Sequence, residues 1–233
     1  MSAPLIVVSG LAREAAIAAG PGITTVVGGG NAQRLTRLLD EALARGARGV
    51  VSFGIAGGVS SELAPGSLVI AETVVSGAER FAGDPGWCNR LAAALPQARV
   101  ASIAGIERPA SNRAAKRAFQ DSLGVVAVDM ESHIAARQAA ARGLPFAVLR
   151  AIADPAERDL PPAALIALKP DGSPDLGAVL LSLMRSPAQL PGLLRLALDA
   201  RAAFAALLRS RRALGPDLGL ASLRDPMLGA PPA

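Results

Sequence analysis

The chain of 233 residues is 51% hydrophobic, enough to fill the core of one large α/β domain. One cysteine, Cys88, rules out an internal disulfide, and one histidine, His133, rules out a multi-histidine metal centre, so chemistry must rest on carboxylates, hydroxyls, arginines and backbone groups. The net charge of +5 accompanies only 3% aromatic residues and arginines spread along alanine-rich segments, which reads as a solvated surface rather than a nucleic-acid footprint.

Pro4 to Ser9 is a short apolar run stopped by Gly10, and Ile23 to Val27 is another, stopped by Gly28-Gly29-Gly30; both predict buried strands. Asn31 then caps a helix to about Arg45, with Leu35, Leu38, Leu39 and Ala42 at helical spacing. Gly49 to Phe53 predicts a strand ending in a glycine-rich turn, Gly54-Ile55-Ala56-Gly57-Gly58. Leu68 to Val75 predicts a strand, Gly86 to Leu95 a short helix and Arg99 to Ile103 a strand. Asn112 to Leu123 follows as a helix capped by Ser111 and Asn112, then Val125 to Val128 as a strand. Met130 to Arg142 predicts a helix and Phe146 to Ala151 the last strand. This alternation predicts a three-layer α/β fold, with a mainly parallel or mixed central sheet between helices. Leucine- and alanine-rich helices follow over Leu176 to Met184 and Pro191 to Arg212. The expected organisation is a catalytic domain over 1–168, a helical extension packed on it over 169–214, and a disordered tail over 215–233.

Ligands of open α/β sheets bind beyond the carboxyl ends of the strands. Gly10, the Gly28 to Gly30 triplet, Gly54 to Gly58, Asp129 to Glu131 and Asp154 all fall there. Glycine turns let the backbone approach a ligand, which makes Gly10, Ile55 and Gly57 candidates for substrate contact along with Asp129. Glu131 reads as a carboxylate at a helix start, favoured by the helix dipole. Asp154, at the end of a buried run and before Pro155, is placed to have its proton affinity raised by desolvation and to deliver that proton to a leaving group. His133 reads as a helix-surface or core residue and Cys88 as a small buried apolar one.

Val128-Asp129-Met130-Glu131-Ser132, Arg150-Ala151-Ile152-Ala153-Asp154 and Gly54-Ile55-Ala56-Gly57-Gly58 resemble the signatures of the nucleoside phosphorylase and methylthioadenosine/adenosylhomocysteine nucleosidase superfamily, in the right order over roughly residues 5 to 160. The resemblance implies cleavage of the N-glycosidic bond of a purine nucleoside. Met130 would pack beneath the ribose, Glu131 would bind its hydroxyls, and Asp154 would protonate the purine at N7. It implies no metal or organic cofactor. Glu14 falls where the nucleosidases place the glutamate that activates water, and Ile55 where phosphorylases present a phosphate-binding serine; both favour hydrolysis, while Arg13 leaves phosphate as an alternative co-substrate. The tail from Leu160 through Pro187 to Leu196 resembles the hopanoid-associated branch, which implies adenosylhopane as substrate. On that resemblance, the partners are a small nucleoside with a hydrophobic 5′ substituent, a second copy of the chain as a dimer, and an anionic membrane surface met by the arginine-bearing C-terminal helices. No apolar stretch reaches the roughly 18 residues of a transmembrane helix, and Met1-Ser2-Ala3-Pro4 lacks the basic start of a signal peptide, so the expected location is the cytoplasm, at or near the inner membrane face.

Overall fold

The computed structural model describes residues 3–166, 172–173 and 175–220. Its elements, in chain order, are β1 (Leu5–Ser9), α1 (Ala12–Ala18), β2 (Ile23–Val27), α2 (Ala32–Leu43), β3 (Gly49–Gly58), β4 (Leu68–Ser76), β5 (Glu79–Ala82), α3 (Pro85–Ala94), β6 (Arg99–Gly105), α4 (Arg113–Leu123), β7 (Ala127–Asp129), α5 (Ser132–Ala140), β8 (Phe146–Asp154), α6 (Pro162–Leu165), α7 (Leu176–Arg185) and α8 (Leu190–Ala213). Side-chain caps start four of the longer helices: Asn31, Asp84, Asn112 and Asp175 each accept a backbone N–H of the first turn.

The eight strands form one mixed sheet, with the path β2-β1-β3-β7-β6-β4-β5 and β8 bridging β3 and β4. β1 runs parallel to both β2 and β3, and β3 parallel to β8, whereas β4 meets β8 and β7 meets β3 antiparallel. Because β4 also pairs with β6 and β6 with β7, the five strands β3, β8, β4, β6 and β7 close into a ring. β8 is therefore hydrogen-bonded on both edges, and its burial from Phe146 through Ala153 follows from that position.

One apolar layer packs Leu35, Leu39 and Leu43 of α2 with Ile134, Ala135 and Ala139 of α5 on one face of the sheet. The other packs Trp87 and Leu91 of α3 with Ala203, Phe204 and Leu207 of α8 on the opposite face. The three-layer expectation and the mixed sheet stand. Several details differ from the sequence reading, among them the unpredicted helix α1. Gly54 to Gly58 is no turn: β3 stays in register with β8 through Ala56, and its final glycines pair with Asp154 and β7 across a bulge. β5 is short and largely exposed, so it lacks the alternating pattern that marks a strand. The chain also does not become irregular at Gly215: Leu218 is buried, its carbonyl accepts the Trp87 indole N–H at 2.8 Å, and Asp217 pairs with Arg48. The remainder of the expected disordered tail, 221–233, lies outside the described residues, as does part of the expected domain junction, 167–171.

Candidate active site

Glu14 sits in the first turn of α1, yet its side chain points into the sheet and is buried. Its Oε2 accepts the N–H groups of Gly10 and Leu11 at 2.9 and 2.8 Å, and its Oε1 accepts that of Ile55 at 2.7 Å. Three donors from two strand ends fix this carboxylate without help from any other side chain's hydroxyl or amide. Arg13, its neighbour in sequence, turns the other way and stacks over the Phe204 ring of α8, 4.3 Å from the centroid.

Arg150, in the middle of β8, is fully buried. Its Nε lies 2.6 Å from Asp129 Oδ2, an ion pair not aligned as a hydrogen bond. Its Nη2 donates to Ser52 Oγ at 2.7 Å, to Ser132 Oγ at 3.2 Å and to Glu131 Oε2 at 3.4 Å, and its Nη1 donates to the Ile55 carbonyl at 3.4 Å. Burying a guanidinium is tolerable only with such pairing. Three carboxylates, Glu14, Glu131 and Asp129, thus share one cation. Burial pushes Glu131 up, to about 8, with Asp129 and Glu14 adding to the rise and Arg150 opposing it. Burial also raises Glu14, against Arg150 and its backbone donors. One cation cannot neutralise three anions in a dry site, so the cluster retains a proton. Glu131, with its looser arginine contact and without Glu14's three donors, is the better holder of that proton.

Glycine makes this crowding feasible at two positions. A Cβ on Gly54 would fall 2.6 Å from Arg150 Nη1 and 2.7 Å from Glu14 Oε1, and one on Gly10 would fall 2.7 Å from Glu131 Oε1. Both positions must be bare because buried charged side chains, hemmed in on all sides, occupy the space.

Asp129 is 1% exposed as a side chain and is committed to the scaffold: its Oδ1 accepts the N–H of Ser132 at 2.9 Å, and its Oδ2 takes the Ser132 hydroxyl and Arg150. It caps α5 in place of Glu131, which stands at the N-cap position but makes no capping hydrogen bond. Both oxygens of Asp129, an expected substrate contact, are thus engaged within the protein, whereas Glu131, the expected ribose binder, makes no capping bond and lies beside Gly10. Met130 is half-buried between them, and His133 is a core residue whose Nδ1 has no hydrogen-bond partner among the described residues.

Asp154 closes β8, four residues beyond Arg150 and just past the bulge against β3. Gly57 lies beside it: a Cβ there would be 3.7 Å from Asp154 Oδ2. The partner of Asp154 is Lys116 of α4, fully buried, with Nζ 2.7 Å from Oδ2. Burial raises Asp154 and Lys116 holds it down. Sequence reasoning missed both Lys116 and the role of Arg150. A lysine on an amphipathic helix reads as solvated, and an arginine inside an apolar strand carries no role until its acids are located.

A cavity of about 200 Å³ opens beside Asp154, lined by Arg158, Leu160 and Pro161 and by Gly192, Arg195, Leu196 and Asp199 of α8. A larger recess of about 490 Å³, between Arg80 to Pro85 and Gly143 to Phe146, lies at the other end of β8 and contains none of these carboxylates. Among the described residues, no three histidine, cysteine, aspartate or glutamate side chains are set to hold a metal ion; the Arg150 guanidinium is the charge that gathers the acids.

Carboxylates gathered beside the ends of β1 and β7 around a buried arginine, with Asp154 at the end of β8 held by a buried lysine, in this closed mixed sheet, define an enzyme of the nucleosidase and nucleoside phosphorylase class. The chain belongs to the phosphorylase superfamily, whose family model matches residues 4–183. Among solved structures it is similar to a Helicobacter pylori methylthioadenosine nucleosidase mutant with 5′-methylthioadenosine in the active site, at 14% identity and TM-score 0.64, covering 91% of this chain and 99% of that one. The futalosine hydrolase of Helicobacter pylori is similar at 13% identity and TM-score 0.60, covering 90% and 97%. The Campylobacter jejuni 5′-methylthioadenosine/S-adenosyl homocysteine nucleosidase is similar at 14% identity and TM-score 0.59, covering 89% and 100%. Among curated proteins, none matches the sequence significantly.

Proposed function

We propose that the protein hydrolyses the N-glycosidic bond of a 5′-substituted adenosine, with adenosylhopane as the preferred substrate and adenine and ribosylhopane as products. The observation that carries the hydrolytic reading is Glu14, a buried carboxylate aimed by the N–H groups of Gly10, Leu11 and Ile55 and raised by burial, as a general base working near neutral pH requires. Asp154 gives a proton to purine N7, and the C1′–N9 bond breaks with its electron pair passing into the purine. Glu14 takes a proton from the water whose oxygen bonds to C1′. Glu131 binds the ribose hydroxyls above Met130, and the carboxylates stabilise the cationic sugar of the transition state. The backbone of Gly10, Ile55 and Gly57 forms the wall against which the nucleoside lies.

Phosphorolysis is the weaker reading, because Ile55 offers no hydroxyl and Arg13 stacks on Phe204 rather than joining the cluster. The apolar 5′ group is supported by α7 and by α8, the latter lining the Asp154 cavity through Gly192, Arg195, Leu196 and Asp199. Leu176, Leu180 and Met184 of α7 and Leu190, Leu194 and Leu198 of α8 recur every four residues, and all are exposed. Such one-sided leucine rows, with Arg185 and Arg195 beside them, fit a triterpene tail and an anionic bilayer from which it is drawn. Among the described residues no helix is long and apolar enough to cross a membrane, so contact would be peripheral.

The test is to incubate the protein with adenosylhopane and with methylthioadenosine, with and without phosphate, and to identify the sugar product. Phosphate-independent adenine release from adenosylhopane is expected, slowed roughly 10²–10⁴-fold in Glu14→Gln. Preference for methylthioadenosine would make the protein a general nucleosidase, and activity on neither would sink the reading.

A further inference from the structure

Helix α4 buries one residue fully among those described, and it is Lys116. The other side chains of α4 are exposed or half-buried, with Ala115, Phe119 and Leu123 resting against a small apolar cluster. A lysine is the least suitable residue for filling a core, since its ammonium must be fully paired once it leaves water. Here it is: Nζ reaches Asp154 Oδ2 at 2.7 Å, the Pro155 carbonyl at 2.8 Å and the Arg158 carbonyl at 2.8 Å. Three N–H donors meet three acceptors, so the ammonium is locked in place. Asp154 Oδ1 accepts no hydrogen bond among the described residues, which leaves one oxygen held by the protein and the other available.

We propose that Lys116 is a positioning residue for the glycosidic-bond site: its ammonium fixes Oδ2 of Asp154, leaves Oδ1 to carry the transferable proton, and balances the charge on the carboxylate once that proton has gone. The proposal rests on the reading of Asp154 as the acid in the proposed function. During the step the proton on Oδ1 passes to purine N7, the C1′–N9 electron pair enters the purine, and Asp154 becomes an anion 2.7 Å from a cation that was already there. The product carboxylate therefore forms without reorganising the site, the condition under which a fixed charge lowers a barrier. The two carbonyl contacts also tie the loop after β8 to α4, so the floor of the Asp154 cavity moves with its acid.

Other charges face Asp154 as well. Arg158 and Asp159 come from the loop after β8, and Arg195 and Asp199 from α8; Arg158 pairs with Asp199, so these two largely cancel. Lys116 is the cation that touches Asp154. Removing it leaves burial unopposed, and Asp154 then holds its proton to higher pH.

Two measurements on Lys116→Met test this: the pH profile of adenine release and the carbon-13 NMR titration of the Asp154 carboxyl, both against wild type and Lys116→Arg. In Lys116→Met the Asp154 titration moves to higher pH, the alkaline fall of kcat/KM moves with it, and kcat drops by roughly 10²-fold or more with a smaller change in KM; Lys116→Arg recovers part of the rate. A rate loss equal at every pH, with the Asp154 titration unmoved, would make Lys116 merely a staple and overturn the proposal. Should Lys116→Met fail to fold, the nitrogen-15 resonance of the wild-type Lys116 ammonium must shift as Asp154 titrates, and indifference to that titration overturns the proposal equally. If no adenosine derivative is cleaved while the Asp154 titration still moves, the pairing stands and the proposed function falls.

Discussion

The carboxylate cluster around Arg150 and the helical stretch from Leu176 to Leu198 invert the ordinary rule in opposite senses. In the first, charge is buried: Glu14, Glu131, Asp129 and Arg150 are packed among strand ends. In the second, leucine is exposed: Leu176, Leu194 and Leu198 stand more than half open to solvent. Neither arrangement helps a chain to fold, since buried charge costs desolvation and exposed leucine forgoes burial. Local rules are broken at sites that serve function, and the proposed function assigns the two regions to the two ends of one substrate, a polar nucleoside and an apolar tail.

The sharpest way to break this comparison is at Arg150. Replacing it with methionine leaves three acids without their cation, and a loss of about 3–5 kcal/mol in unfolding free energy is expected by denaturant titration. A variant of wild-type stability would mean that the acids are already neutral and that the cluster is not held by charge.

Next is the contrast within α8. Its second half buries Ala203, Phe204, Ala206 and Leu207, while nothing before Ala203 is buried. Leu207→Ala should cost about 2–5 kcal/mol, and Leu194→Ser no more than about 0.5 kcal/mol. Leu194→Ser combined with Leu180→Ser should instead weaken binding to anionic phosphatidylglycerol vesicles in a sedimentation assay. If the serine changes unfold the protein, the rows are part of its core; if vesicle binding is unchanged, the rows serve another purpose.

The smallest effect concerns the proton on Glu131. Its folded-state affinity for the proton is raised, from the ordinary 4.5 to about 8, so the protonated form is the one that folding favours. Its contribution to stability is then full below about pH 4.5 and is lost as pH rises through about 8. Thermal melts of Glu131→Gln should lack that decline, and the difference between the two Tm profiles isolates this group from Glu14, Asp154 and His133. Parallel profiles would place the cluster's proton elsewhere.

Much of the fold was legible because buried strands announce themselves as apolar runs stopped by glycine, and the caps at Asn31 and Asn112 were where their side-chain chemistry placed them. The acids were legible for the same reason: Glu131 and Asp154 interrupt apolar patterns at strand ends. Arg150 was visible as a letter in a motif, not as the hub of six groups that lie 18 to 136 positions away in the chain. Lys116 gave no signal at all, since its partner is brought to it by the β8 turn. Gly54 was misread for a general reason: glycine placed for space and glycine placed for turning look alike until the neighbours are known.

The turn from Leu214 to Leu220 gives α8 a gradient of local stability. Arg211 reaches the Ala18 carbonyl, Arg90 the Gly219 carbonyl and Trp87 the Leu218 carbonyl, so the last turns of the helix are tied to α1 and α3. Its first turns, beside the Asp154 cavity, bury no residue; Gln189 before them accepts the Ala163 N–H, and Asp199 further along pairs with Arg158. Amide protons along this one helix should exchange with solvent on very different timescales, those near Leu207 only when the whole molecule opens and those near Leu194 far sooner. On the proposed function, fraying one end of α8 gives a bulky nucleoside its way in and out, with the sheet that carries the acids undisturbed.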